Sequence, residues 1–272
     1  MGKVPVSRCI VWLFFLAGIG SLRGESSHWD IALRLGPGQR VPGRLDGNLS
    51  QFSSTFNPQV PGVTQIESQG LGFLGEVAIF RTLDGNSKIG VLVGRVDQAP
   101  IRLTQFTGDL YAVQLKNDIF SYHVIPTYQW FGKLSKKLEW QTGLGIGATV
   151  TDWIWKGVGL DFGAVRNFNP QTGDLRGIGL AMRLEGMVQR QVSESVFLGV
   201  GLHYHFVSVP QFTGNANGAT GSLYISDTGR VGILDNTRVT DASFQTNQFL
   251  RRLDLNSGSW NLTFSVTQRF LD

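Results

Sequence analysis

The chain has 272 residues, 24 of them Lys or Arg and 20 Asp or Glu, with 35 glycines, a single cysteine and a mean hydropathy near zero. Residues 1–24 read as a secretory signal, and their removal takes away Lys3, Arg8 and Arg23, so the 24 basic residues become 21 against the same 20 acidic ones. It also takes away Cys9, which excludes disulfides and thiolate chemistry, and the near-neutral remainder leaves no clustered basic face for nucleic acid.

The signal has a basic start at Lys3 and Arg8, then an apolar core from Cys9 to Gly20. Twelve residues are too few for a membrane-spanning helix, and cleavage is expected after Gly24. No linker-like composition divides residues 25–272, so they are expected to form one domain.

From there the chain repeats one pattern, apolar and polar residues in strict alternation, the mark of a strand with one greasy and one wet face. The first such strand covers 28–36, with Trp29, Ile31, Leu33 and Leu35 on the greasy side and Arg34 on the other. The second covers 70–82, with Leu71, Phe73, Val77 and Ile79 opposite Glu76. A turn at 83–87 carries Asp84-Gly85-Asn86 and leads to the third, at 88–96. The fourth, 119–131, aligns Phe120, Tyr122, Val124, Tyr128 and Trp130 and turns His123 the other way. Pro126 lies in it and predicts a bulge or locally broken pairing. After a turn at 132–137, the fifth strand, 138–150, is the cleanest: Leu138, Trp140, Leu144, Ile146 and Val150 oppose Glu139, Gln141, Gly143, Gly145 and Gly147. The glycine run is no phosphate loop, since no helix follows it. The sixth, 177–189, points Arg183 and Glu185 away from its greasy face. A turn near 191–194 joins it to the seventh, 195–207, which carries His203-Tyr204-His205. The eighth, 259–270, aligns Trp260, Leu262, Phe264, Val266 and Phe270 opposite residues that include Arg269.

Links after the second, fourth and sixth strands have about four to six residues, and the others about twenty to fifty. That rhythm predicts an all-β fold, an antiparallel up-and-down transmembrane β-barrel with tight periplasmic turns and long extracellular loops. Eight strands are expected. Candidate hairpins at 102–106 with 110–115 and at 222–226 with 230–234 are either extensions above the membrane or extra wall strands, which would raise the count to ten or twelve. Trp29, Trp130, Trp140 and Phe270 fall at one rim, and Tyr122, Tyr204 and Trp260 at the other, where amphipathic rings settle at the headgroup level.

A signal, eight amphipathic strands and a closing strand ending near Phe270 resemble the small bacterial outer-membrane barrel superfamily, the kind containing outer membrane proteins A, W and X. The resemblance implies residence in the cell outer membrane among its lipid and lipopolysaccharide. It also implies recognition of the C-terminal strand by the outer-membrane assembly machinery, although Leu271 and Asp272 follow the aromatic that often ends such chains. It assigns no functional residue.

Inward positions collect Arg34, Glu76, His123, Glu139, Arg183, Glu185, His203, His205 and Arg269. An eight-stranded barrel is wide enough only for side chains, so these are expected to pair into a polar plug. The alternative is a narrow conduit for small solutes. The imidazoles lack a third ligand fixed by spacing, so neither metal nor cofactor is expected. No serine and acid stand beside a histidine at recognisable spacing, so no enzyme is expected. A lipid-modifying barrel enzyme is the further alternative. A secreted soluble barrel with an apolar cavity would need the two faces exchanged. The loop at 151–176, with Trp153, Trp155, Phe162 and Phe168, suggests an exposed aromatic surface for an extracellular ligand, or else local packing.

Overall fold

A computed structural model describes residues 28–43, 62–68, 70–98, 100–107, 111–161, 167–226, 231–234, 250–252 and 254–271. The signal at 1–24, Phe162 and the Asp227-Thr228-Gly229 turn lie outside the described residues. Among the described residues fourteen strands follow one another: β1(His28–Val41), β2(Gly62–Ser68), β3(Gly72–Asp84), β4(Ser87–Asp97), β5(Ile101–Thr107), β6(Tyr111–Ser135), β7(Leu138–Asp161), β8(Asn167–Gln191), β9(Val196–Val209), β10(Thr213–Ala216), β11(Ala219–Ser226), β12(Val231–Leu234), β13(Leu250–Arg252) and β14(Leu255–Leu271).

Eight of them close a ring. β1 pairs with β3, β3 with β4, β4 with β6, then β6 with β7, β7 with β8, β8 with β9, β9 with β14, and β14 returns to β1, every pair antiparallel. The ends of the chain meet in that last seam, where Trp29 faces Phe270 and Arg34 faces Ser265. Closure leaves no exposed strand edge within the wall, which a bilayer demands because it cannot hydrogen-bond a bare backbone.

The faces are sorted as the alternation predicts. Leu144, Leu198 and Phe264 are 49%, 48% and 56% exposed on the outside, whereas Glu139 and Arg183 are 7% and 3% exposed inside. Trp130, Trp140 and Phe270 form an outward girdle near the short turns, with Arg81 stacked 5.6 Å over Trp29 beside them. Tyr122, and Tyr204 against Trp260 at 4.9 Å, mark the opposite rim. At Pro126 the β6–β7 ladder breaks between Val124–Ala148 and Thr127–Gly145 and resumes without slipping. The interruption at the missing donor costs two rungs and makes no bulge.

The candidate hairpins are extensions above the rim, not wall strands. β5 pairs with residues 111–117 of β6, β2 with β5, β10 with the start of β8, and β11 with β10 and β12. The supposed loop at 151–176 is a correction. β7 and β8 run through it, paired in unbroken register from Leu138–Arg190 to Asp161–Asn167. Crossing a bilayer takes only ~10 tilted residues, so about half of each 24- or 25-residue strand stands in water.

Candidate functional site: a layered, sealed lumen

Each of the eight ring strands turns at least one ionisable side chain inward, and eight charged ones meet in two layers. In the middle layer Arg183, from β8, grips Glu76, from β3, through a two-pronged pair at 2.6 and 2.8 Å. Its Nε reaches Glu185 Oε2 at 2.9 Å, and Arg34, from β1, holds the same oxygen at 2.9 Å and Glu76 at 3.4 Å. Gln129 donates to the other oxygen of Glu185. Two cations therefore meet two anions. Planar guanidinium forks supply the direction that makes such buried pairs tolerable. The packing explains one in-strand glycine: a Cβ on Gly143 would lie 2.7 Å from Gln129 Cγ and 3.3 Å from Glu185 Oε1.

The second layer lies nearer the short turns. Arg269 bonds Asp30 at 2.9 Å and Glu139 at 3.0 Å, Lys88 pairs with Asp30, and Gln189 donates to Glu139 at 2.9 Å. Again two cations balance two anions. Phe131 lies 4.4 Å beneath the Lys88 ammonium and Phe197 4.1 Å from the Arg269 guanidinium, each ring offering its negative face. Asp30 and Lys88 were not among the sequence candidates. Both were within reach of the alternation, since Asp30 shares its face with Arg34, and Lys88 precedes inward Gly90 by two residues.

The histidines divide. His203 Nδ1 accepts from Arg183, and its Nε2 faces Thr263 Oγ1. His203 Nδ1 also lies 3.4 Å from Glu185 Oε2, so hydroxyl, ring and carboxylate stand in the order of a hydrolytic triad that sequence spacing did not reveal. A guanidinium only donates, so Nδ1 is the acceptor of the Arg183 contact, which places the ring hydrogen on Nε2, toward Thr263. Thr263 in turn is 3.3 Å from the Gly201 carbonyl, its own acceptor. A general base needs the opposite tautomer, and both side chains are at zero exposure. His123 and His205 stack at 4.9 Å, with His123 Nε2 3.4 Å from Glu76. Among the described residues no three His, Cys, Asp or Glu side chains are placed to hold a metal ion.

Above the charges the lining changes. Ser121 and Thr151 share a hydroxyl bond at 2.8 Å, and Asn117 accepts from the Trp153 indole at 3.0 Å. Then Ile101, Ile119, Trp153, Leu175, Val209, Phe212 and Leu255 close the mouth as a buried apolar cap, Phe212 meeting Trp153 edge-on at 5.5 Å. Trp153 is 3% exposed and Trp155 is half-buried against the same cluster, so these two rings follow the local-packing alternative; the side chains of Phe162 and Phe168 lie outside the described residues. Each large cap side chain contributes ~2–3 kcal/mol by burial.

An apolar belt between two aromatic girdles, around a filled polar interior, is the exterior a bilayer requires. The chain is a membrane-spanning β-barrel of the bacterial outer-membrane type. No protein-family model and no curated protein matches it. Among solved structures it is similar to a major outer membrane protein from Thermus thermophilus, at 14% identity over 89% of this chain and 99% of that one, with a TM-score of 0.40. Neisserial surface protein A matches at 11% identity over 90% and 100%, TM-score 0.35, and the outer membrane protein OprG from Pseudomonas aeruginosa at 11% over 89% and 95%, TM-score 0.36. At such scores the barrel's own register and belt carry its assignment.

Proposed function

We propose that this is an outer-membrane barrel without a pore or catalytic centre, whose role is structural or interaction-bearing and is exercised from the strands that rise above the membrane. The observation behind this reading is the sealing of the lumen. The side chains of Glu76, Arg183 and His203 are fully buried, and an apolar cap sits over them. A conduit would need a continuous wet path, and a lipid-modifying site would need a base facing an open cleft. The His203 tautomer and burial support neither.

Planar-bilayer recordings test the first point: purified protein should add no discrete conductance steps. Steps of uniform size that disappear when the cap is enlarged, for instance in Leu175→Trp, would establish a conduit instead. Lipid A profiles from cells with and without the protein should match; a shift in acyl-chain mass would mean catalysis.

A further inference from the structure

Just above the extracellular girdle the outer wall is notched. β3 begins at Gly72, β4 ends at Asp97, and β5 starts beside β6 four residues later, which leaves a groove of about 630 Å³ on the outside of the barrel. Its floor is apolar, formed by Leu71, Phe73, Phe120 and Ile154, and continues the lipid-facing belt. Its upper border is basic.

That border is costly as built. Lys116 sits directly opposite Lys156 across the β6–β7 ladder and directly opposite Arg102 across the β5–β6 ladder, so three cations stand side by side on one rung. Like charges in facing positions destabilise a sheet. Glu67 of β2 faces Arg102 and offsets that end of the rung, which leaves the two lysines. Lys116 has only an exposed pair with Asp118 at 3.4 Å, and no carboxylate among the described residues pairs with Lys156. Below them Arg95 lies flat, 4.2 Å over Phe120, with a bond of 3.3 Å to the Tyr122 hydroxyl. Asp97 holds its Nε and Tyr122 its Nη1, which leaves Nη2 for a ligand in the groove.

We propose that this groove seats one phosphorylated glycolipid of the outer leaflet, with acyl chain on Phe73 and Phe120, a first phosphate at Arg95, and phosphorylated sugars at Lys116 and Lys156. It rests on the reading that the end with long connections faces outward. The height selects the ligand. The Arg95 guanidinium lies over Phe120, and from Phe120 to Lys116 is four residues, ~13 Å of strand and ~10 Å of height at a barrel's tilt. A phospholipid headgroup layer is only ~5–8 Å deep and reaches Arg95 alone. A phosphorylated sugar head spans both levels. A soluble polyanion could engage the lysines but would leave the apolar floor uncovered.

The test uses the full mature protein in phosphatidylcholine nanodiscs, with native mass spectrometry counting bound rough lipopolysaccharide, the same glycolipid stripped of phosphate, and phosphatidylglycerol. One intact glycolipid should bind saturably, at least about tenfold more tightly than either comparison lipid, and R95Q/K116Q/K156Q should abolish that margin. Equal binding by the triple variant, equal binding of phosphatidylglycerol, or full competition by a soluble sulfated polysaccharide each overturns the site. Heat-dependent gel mobility shows that the variant still folds. If the wild type itself inserts into no bilayer, the barrel reading fails together with the site; if it inserts and ignores phosphate, the site alone fails.

Discussion

Follow β7 from Leu138 to Asp161 and its two faces exchange roles at Thr151. Below that residue the even positions Leu144, Ile146 and Val150 face outward and the odd positions Glu139, Gln141 and Thr149 line the lumen; above it, Trp153 lies buried inside and Lys156 is exposed outside. β6 changes likewise, from outward Tyr122 and Val124 to inward Ile119, and β8 from outward Ile178 to inward Leu175. The backbone does not change; its surroundings do. Within the bilayer the greasy face must look out, and above it the same sheet obeys the rule for proteins in water. The rung where the sides exchange marks the membrane surface.

Breaking the lower half should cost most. Arg183→Met leaves Glu76 and Glu185 to share Arg34 alone, one cation against two buried anions, and urea unfolding in detergent micelles should show a loss of ~3–5 kcal/mol. A loss below about 1 kcal/mol would mean that water reaches the layer and the lumen is not sealed. In the upper half, Trp153→Ala removes the centre of the cap and should cost ~3 kcal/mol, with outer-membrane insertion unchanged; failure to insert would place the cap in the folding of the span itself. On the outward face, Leu144→Arg should destabilise by ~2–4 kcal/mol because it puts a charge near the bilayer midplane. Lys156→Leu, twelve residues further along the same strand and face, should stay within ~0.5 kcal/mol. Equal effects at 144 and 156 would put the membrane boundary elsewhere.

The same exchange decides what the sequence could disclose. A period of two with constant sides is easily read, which is why the eight wall strands, their short turns and both girdles were legible. Beyond Thr151, Ile119 and Gly177 the alternation continues, but with grease on odd positions and Lys116, Asp118 and Lys156 on even ones. Beside the lower pattern, such a stretch resembles a loop. β2, β10 and β13 are seven residues or fewer and gain their order from neighbours. Inward residue types were legible one at a time, but their partnerships were not. Glu76 and Arg183 stand 107 positions apart, and Thr263 and His203 sixty, so only ring closure shows that they touch.

The rising sheet has no hinge at its base. Because β7 and β8 stay paired rung for rung from the short-turn end to their tips, they form a mast stepped through the hull. The mast stands on one side of the ring, so a pull on its top arrives in the bilayer as a torque that tips the whole cylinder.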